Sequence, residues 1–140
     1  MLYCKRKNST NWQFPQGGID KNEHIFDAAL RELYEEVGIE ENKVKLIKES
    51  DNWYKYDLPK KYKRNSFLWE SFKGQKQKWF LFKLIEETRI DLNNENNPEF
   101  DEFSWVDYWR PLDEIVDFKR EIYEKVLTEL EPAYKSEFSE

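Results

Sequence analysis

The strongest constraint on the fold of this chain lies between His24 and Ile39. Ile25, Ala28, Ala29, Leu33 and Val37 recur at intervals of three and four. That spacing predicts an amphipathic helix from His24 to Val37 with one apolar face to bury. Gly38 follows directly, the residue best suited to end a helix in the left-handed conformation. The polar face is unusual. Glu32, Glu35 and Glu36 stand at i, i+3 and i+4, so three carboxylates crowd one turn, where like charges repel. That turn is also the helix C-terminus, where the macrodipole disfavours anions. Two readings stand side by side. The cluster is a solvated acidic face, or it is compensated by something cationic. Clustered oxygen ligands suit hard cations such as Mg²⁺ or Mn²⁺ better than zinc. Arg31, adjacent in the chain, neutralises part of the cluster or orients one of its carboxylates.

Such a helix needs a layer to lie on. Leu2–Arg6, the segment around Val44, Leu46 and Ile47, Trp53–Tyr56, Lys76–Leu84 and Phe103–Val106 read as strands, with Pro59 ending the third. Asn8–Asn11 reads as a turn and Asp91–Asn97 as a polar loop. Lys60 to Lys73 reads as a long basic loop. Ile115, Val116, Ile122, Val126 and Leu130 give a second helix from Asp113 to Leu130, with Pro132 just beyond it. Strands mixed with two or three helices imply an α/β or α+β layered fold. A length of 140 residues predicts one domain, 1–140. Aromatic residues make up 17% of the chain, which supplies a packed core despite 37% charged residues and a mean hydropathy of -1.00.

The formal net charge of -6 argues against a general nucleic-acid binder, but the charge is unevenly spread. Residues 1–19 are net +3, 20–51 net -5, 55–83 net +7 and 86–140 net -11. A basic centre between acidic flanks is ordinary solvated surface, or a local anion site in a protein that also holds cations. Cys4 is the single cysteine, and no motif around it suggests a nucleophile. His24 is the single histidine and has no partner for a zinc site. No apolar run reaches membrane-spanning length and no leader peptide is visible. The expectation is a cytoplasmic monomer with no membrane contact.

The glutamate helix sits inside a longer pattern. Gly17, Glu23, Arg31, Glu32, Leu33, Glu35, Glu36, Gly38 and Ile39 match every fixed position of G-x5-E-x7-R-E-U-x-E-E-x-G-U, with U aliphatic. The segment 17–39 therefore resembles the Nudix box. Trp12-Gln13-Phe14-Pro15-Gln16-Gly17-Gly18-Ile19, Gly74-Gln75-Lys76-Gln77-Lys78-Trp79-Phe80-Leu81, Pro98-Glu99-Phe100-Asp101 and Phe118-Lys119-Arg120 resemble blocks of the bacterial RNA pyrophosphohydrolase branch, also described as dinucleoside polyphosphate hydrolases. These blocks cover nearly the whole chain.

The resemblance implies an α/β/α sandwich with a mixed central sheet. It implies a divalent-metal hydrolase, using Mg²⁺ or Mn²⁺, that removes pyrophosphate from triphosphorylated RNA 5′ ends and so promotes RNA decay. The same residues would serve a diadenosine polyphosphate hydrolase, or a catalytically weak module that binds nucleotides or RNA ends. Glu32, Glu35 and Glu36 match the metal ligands, with Glu36 and Arg31 in the catalytic set. Gly17, Glu23 and Gly38 match structural positions of the box. Glu99 matches the general base or an extra metal ligand; as a loop carboxylate it could equally cap nearby backbone. Arg6 and Lys119 match contacts to the RNA end. Lys76 and Lys78 would alternate on one strand face as further contacts. Phe118 is placed to stack a base or to pack in the core. Lys60, Lys61, Lys63 and Arg64 contact downstream phosphates or simply face water. Members of the branch carry a further strand ahead of the point matching Met1, so the expectation is a sheet short of that strand and of a basic residue on it.

Overall fold

The structure is a computed structural model that describes residues 1–15, 22–56, 75–115 and 117–138. Its strands are β1 (Leu2–Arg6), β2 (Trp12–Gln13), β3 (Val44–Glu49), β4 (Tyr54–Tyr56), β5 (Gln75–Gln77), β6 (Phe80–Leu84) and β7 (Phe100–Trp105). The helices are α1 (Ile25–Val37), α2 (Pro111–Glu114) and α3 (Asp117–Phe138), with one 3₁₀ turn at Glu41–Lys43. The pairings among described residues are antiparallel and form three sheets, β2-β1-β7, β3-β6 and β4-β5.

The period-two alternation of strand side chains builds the layers. On β1, Tyr3 joins Phe14, Tyr108, Tyr123 and Leu127 on the α3 side. Its neighbour Cys4 joins Val37, Ile39 and Phe100 on the α1 side. β6 repeats the arrangement. Leu81 packs with Ile122, Val126 and Leu130 of α3, while Phe80 and Phe82 meet Phe26 of α1 at ring-centroid distances of 5.9 and 6.2 Å. Strands thus lie between α1 and α3, which is the α/β/α layering expected of the fold. α3 supplies the larger share of the core, burying Ile122, Tyr123, Val126, Leu127 and Leu130.

Two expectations are corrected. The segment Lys76–Leu84 is not one strand: β5 ends at Gln77, β6 begins at Phe80, and the two pair with different partners. The break lies at Lys78 and Trp79. Trp79 turns its ring into the aromatic cluster, 5.9 Å from Phe14 and 5.4 Å from Tyr123. Its main chain is held by Ser50, whose hydroxyl accepts the Trp79 N–H at 3.0 Å and whose own N–H donates to the Trp79 carbonyl at 2.7 Å. Lys76 and Lys78 therefore do not share one strand.

The second correction concerns the C-terminal helix, which is interrupted and longer. Ile115 ends α2 in extended conformation, and α3 runs through Pro132 to Phe138. Proline inside a helix loses a hydrogen bond and crowds the preceding turn. Here the last turns are held by tertiary packing instead. Tyr134 stacks on Tyr108 at 4.4 Å, and on the helix's own Phe138 at 4.9 Å. Lys83 reaches Glu137 at 3.4 Å and lies over the Phe138 ring.

Candidate active site

The site begins at the two ends of α1. His24 caps its N-terminus, with Nδ1 accepting the Phe26 N–H at 3.4 Å. The single histidine thus has a local structural partner. At the C-terminus Gly38 adopts φ 74° and donates its N–H to the Tyr34 carbonyl at 2.9 Å. A Cβ there would lie 2.8 Å from Cβ of Asp91, so glycine is required both for the left-handed turn and for the approach of the next loop. That loop closes on the helix end. The Asp91 N–H donates to the Val37 carbonyl at 2.8 Å, and Asn94 Nδ2 donates to the Tyr34 carbonyl at 2.7 Å. Carbonyls that a helix terminus leaves open are satisfied from the loop.

Arg31 organises most of the acidic cluster. Its Nε and Nη2 donate to the two Glu23 oxygens, each at 2.9 Å, a bidentate pair. Its Nη1 donates to Glu32 at 2.7 Å and to Glu35 at 3.1 Å. One guanidinium thus ties three carboxylates from two parts of the box, and its contacts among these residues are those of a positioning group.

Glu36 lies on the other side of this arrangement. It is 2% exposed, and both its oxygens are enclosed without a hydrogen-bond donor. Its charged neighbours are Glu99, Glu32 and Glu95. Burial first, and then those carboxylates, push its carboxyl group up to about 10. Glu32 is likewise raised by burial, against the opposing pull of Arg31. Cys4, fully enclosed in the core, has its thiol pushed up to about 12 by burial and by the charge of Glu36, so a thiolate nucleophile is disfavoured there.

An enclosed carboxylate with no donor, facing other carboxylates, is a costly arrangement for a protein alone. The donor set is all oxygen and strongly anionic, which fits a hard divalent cation. Among the described residues no three acidic side chains already stand together as a finished cage. Glu32 and Glu35 are turned to Arg31, and Glu36 would need them or Glu99 to swing in.

Glu99 reaches this place as the residue just before β7. Its carbonyl accepts the Lys7 N–H at 2.8 Å, and Phe100 pairs with Arg6 in the β1–β7 register, beside a bulge at Lys5/Arg6. Asp101 anchors the same corner, with Lys5 Nζ at 2.6 Å and the Asn8 N–H at 3.4 Å. Arg6 therefore stands beside Glu99 at one end of the sheet. Lys119 of α3 joins it: its Nζ donates to Gln13 Oε1 at 3.3 Å, and burial, reinforced by the charge of Arg6, lowers its ammonium to about 8. Two cations brought together on partly enclosed ground make a place for an anion.

The remaining candidates lie elsewhere. Lys78 sits 3.8 Å from Glu49, donates to the Asp51 carbonyl at 3.4 Å and lies over the Trp53 ring at 5.5 Å, so its described partners belong to the β3–β4 corner. Gly17 and the basic residues 60–64 lie outside the described residues, as do the side chains of Lys76 and Phe118. Glu95, in the polar run, has one oxygen enclosed without a donor, faces the charges of Glu99 and Glu35, and accepts the Glu99 backbone N–H on its carboxylate. Its one sequence signal is its spacing, four residues before Glu99.

Comparison with known proteins gives this geometry its context. A family profile described as "NUDIX domain" matches residues 1–126. A protein of Francisella tularensis subsp. mediasiatica named RNA pyrophosphohydrolase is 47% identical over 129 residues, covering 91% of this chain and 82% of that protein. A Haemophilus ducreyi protein of the same name is 45% identical over 130 residues, covering 92% of this chain and 66% of that protein. An Actinobacillus pleuropneumoniae relative, also so named, is spanned over 63% of its length. The chain thus spans just under two thirds of those last two relatives. Among solved structures, the Escherichia coli dihydroneopterin triphosphate pyrophosphohydrolase superposes with a TM-score of 0.68 at 20% identity, covering 91% of this chain and 84% of that one. A Caenorhabditis elegans Ap4A hydrolase superposes with a TM-score of 0.63 at 17% identity, covering 94% and 86%. At those identities the structures speak to the fold alone. Sequence, layering and box agree: the chain belongs to the Nudix family, in the branch whose curated members are named RNA pyrophosphohydrolase.

Proposed function

We propose that this chain is a metal-dependent hydrolase that cleaves a phosphoanhydride bond at the 5′-triphosphate end of RNA, releasing pyrophosphate and leaving a 5′-monophosphate. In the cell that product would feed RNA decay. The observation that carries the reading is the pairing of opposite electrostatics at one sheet end. Arg6 and Lys119 are gathered beside Glu99, which in turn faces the donor-free Glu36. The relatives' shared name supports RNA as the substrate.

The divalent cation of this family is Mg²⁺ in our reading, with Mn²⁺ able to replace it, held by Glu36 with Glu32 and Glu35. What such an ion supplies when bound is neutralisation of phosphate oxygens and acidification of a water. The chain's own residues do the rest. Arg6 and Lys119 hold the anionic phosphates, so that the reacting phosphorus is fixed against the carboxylates. Glu99 takes the proton of the attacking water on its carboxylate as the P–O bond to the leaving pyrophosphate breaks. Arg31 keeps Glu23, Glu32 and Glu35 in register with the helix. Phe118 stacks the terminal base, and Lys76 extends the contact to the RNA. The 140 residues act as one domain, as a monomer in the cytoplasm; no helix among the described residues is long and apolar enough to cross a membrane.

The test compares pyrophosphate release from triphosphorylated RNA with turnover of diadenosine tetraphosphate, with Mg²⁺ present and after chelation. RNA should be the better substrate by kcat/KM, and activity should vanish on chelation. Glu36→Gln should lower kcat about 10²-fold or more with the fold retained. Preference for the dinucleotide would move the reading to the second substrate class. Tight RNA-end binding with no turnover of either would move it to a binding module.

A further inference from the structure

Gln13 ends β2, and its side chain is only 2% exposed. Its Oε1 accepts the Lys119 ammonium at 3.3 Å. That contact decides which way the amide points, because a flipped amide would set donor against donor. The opposite end of the amide pays for it: Nε2 is enclosed and meets no acceptor among the described residues. A buried polar group without a partner costs free energy. Leucine or methionine would fill a similar volume without that cost, so packing alone does not account for glutamine here. The next residue joins the same helix. The Phe14 N–H donates to the Tyr123 hydroxyl at 3.1 Å, and the two rings stack at 5.1 Å. Lys119 and Tyr123 stand one turn apart on α3. The backbone that carries the Gln13 amide is thus pinned to the helix that carries Lys119.

A carboxamide accepts a hydrogen bond from an ammonium without cancelling its charge. A carboxylate of the same shape would form an ion pair and remove the charge that an anion needs. We propose that Gln13 is a positioning residue of the anion site: its carboxamide oxygen holds the Lys119 ammonium in place, still charged, for the phosphates of the RNA end. The proposal deepens the function proposed above and rests on its reading of Lys119 as a phosphate contact. Partial burial and the charge of Arg6 work against the ammonium, and an oxygen acceptor beside it offsets part of that penalty.

Steady-state hydrolysis of triphosphorylated RNA with Mg²⁺ present, across a range of salt, tests this. The proteins compared are the natural sequence, Gln13→Leu, Gln13→Glu, Lys119→Ala and the double variant Gln13→Leu with Lys119→Ala. We expect Gln13→Leu to raise KM about 10-fold, with kcat within a few-fold of the natural value. Adding it to Lys119→Ala should raise KM no further, since both changes act on one contact. Gln13→Glu, which keeps the shape of the side chain, should raise KM at least as much and lower the salt slope by about one. If both Gln13 variants keep the natural KM while Lys119→Ala raises it, the Gln13 proposal is wrong and the function proposed above stands. If the effects of Gln13→Leu and Lys119→Ala multiply in the double variant, Gln13 does not act through Lys119, and the proposal is overturned. If Gln13→Leu does not fold, Gln13→Glu decides, and an unchanged KM and salt slope there overturn the proposal. If Lys119→Ala leaves KM untouched, or the natural protein does not turn over RNA, the reading of Lys119 falls and the proposal with it.

Discussion

At the scale of single residues, proximity does what sequence spacing could not. Lys119 and Arg6 are 113 positions apart in the chain, yet the charge of Arg6 and partial burial together bring the Lys119 ammonium down to about 8. In the unfolded chain a lysine titrates near 10.5. Between those two values the unfolded chain binds more protons than the folded one, so this group's contribution to stability improves as pH rises from about 8 toward 10.5. Ligand binding runs the opposite way, because an anion needs the ammonium charged. Affinity for a triphosphate end should therefore fall as pH is raised through about 8 at fixed ionic strength. Lys119→Arg, which stays charged, should flatten the profile. Titrations of binding against pH for both proteins check this, and parallel profiles would remove Lys119 from the anion site. The box glutamates were legible residue by residue, since their types and spacing are local. The division among them was not. That Arg31 takes Glu23, Glu32 and Glu35 while Glu36 is turned inward depends on what α1 packs against.

At the scale of elements, α1 and its termini were readable because helix periodicity and a terminal glycine are short-range signals. The strand break at Lys78–Trp79 was not readable, because a run of aromatic and apolar residues has no period that distinguishes one strand from two. The pull of Phe14 and Tyr123 on the Trp79 ring comes from segments far away in the chain. Pro132 misled for a similar reason: local propensity ends a helix there, and stacking of Tyr134 on Tyr108 carries it on. Gly38 tests how much one helix end matters. Gly38→Ala meets both a φ of 74° and a contact of 2.8 Å to Asp91, so we expect a loss of about 1–3 kcal/mol or more in denaturant unfolding. The loop bearing Glu95 and Glu99 should loosen with it, seen as faster amide exchange at residues 91–99. An unfolding midpoint equal to the natural protein's would show that the loop's approach to the helix end is not tight.

At the scale of the whole molecule, the α/β/α layering followed from strands that bury both faces between two amphipathic helices, and the family resemblance covered nearly the same span. What the sequence kept hidden was the convergence. β1, α1, α3 and the residue before β7 each bring one part of the proposed site toward the same sheet end: Arg6, Glu36, Lys119 and Glu99. The central claim is that this end is divided by function, carboxylates for the chemical step and cations for holding the RNA end. The most direct measurement is steady-state hydrolysis of triphosphorylated RNA by Glu99→Gln and Lys119→Ala, side by side, across a range of salt. Glu99→Gln should lose about 10²–10⁴-fold in kcat, with KM within a few-fold of the natural protein's. Lys119→Ala should raise KM and weaken the salt dependence while largely sparing kcat. If Glu99→Gln instead raises KM and spares kcat, or if Lys119→Ala leaves KM and its salt dependence unchanged, the division of labour drawn here is contradicted.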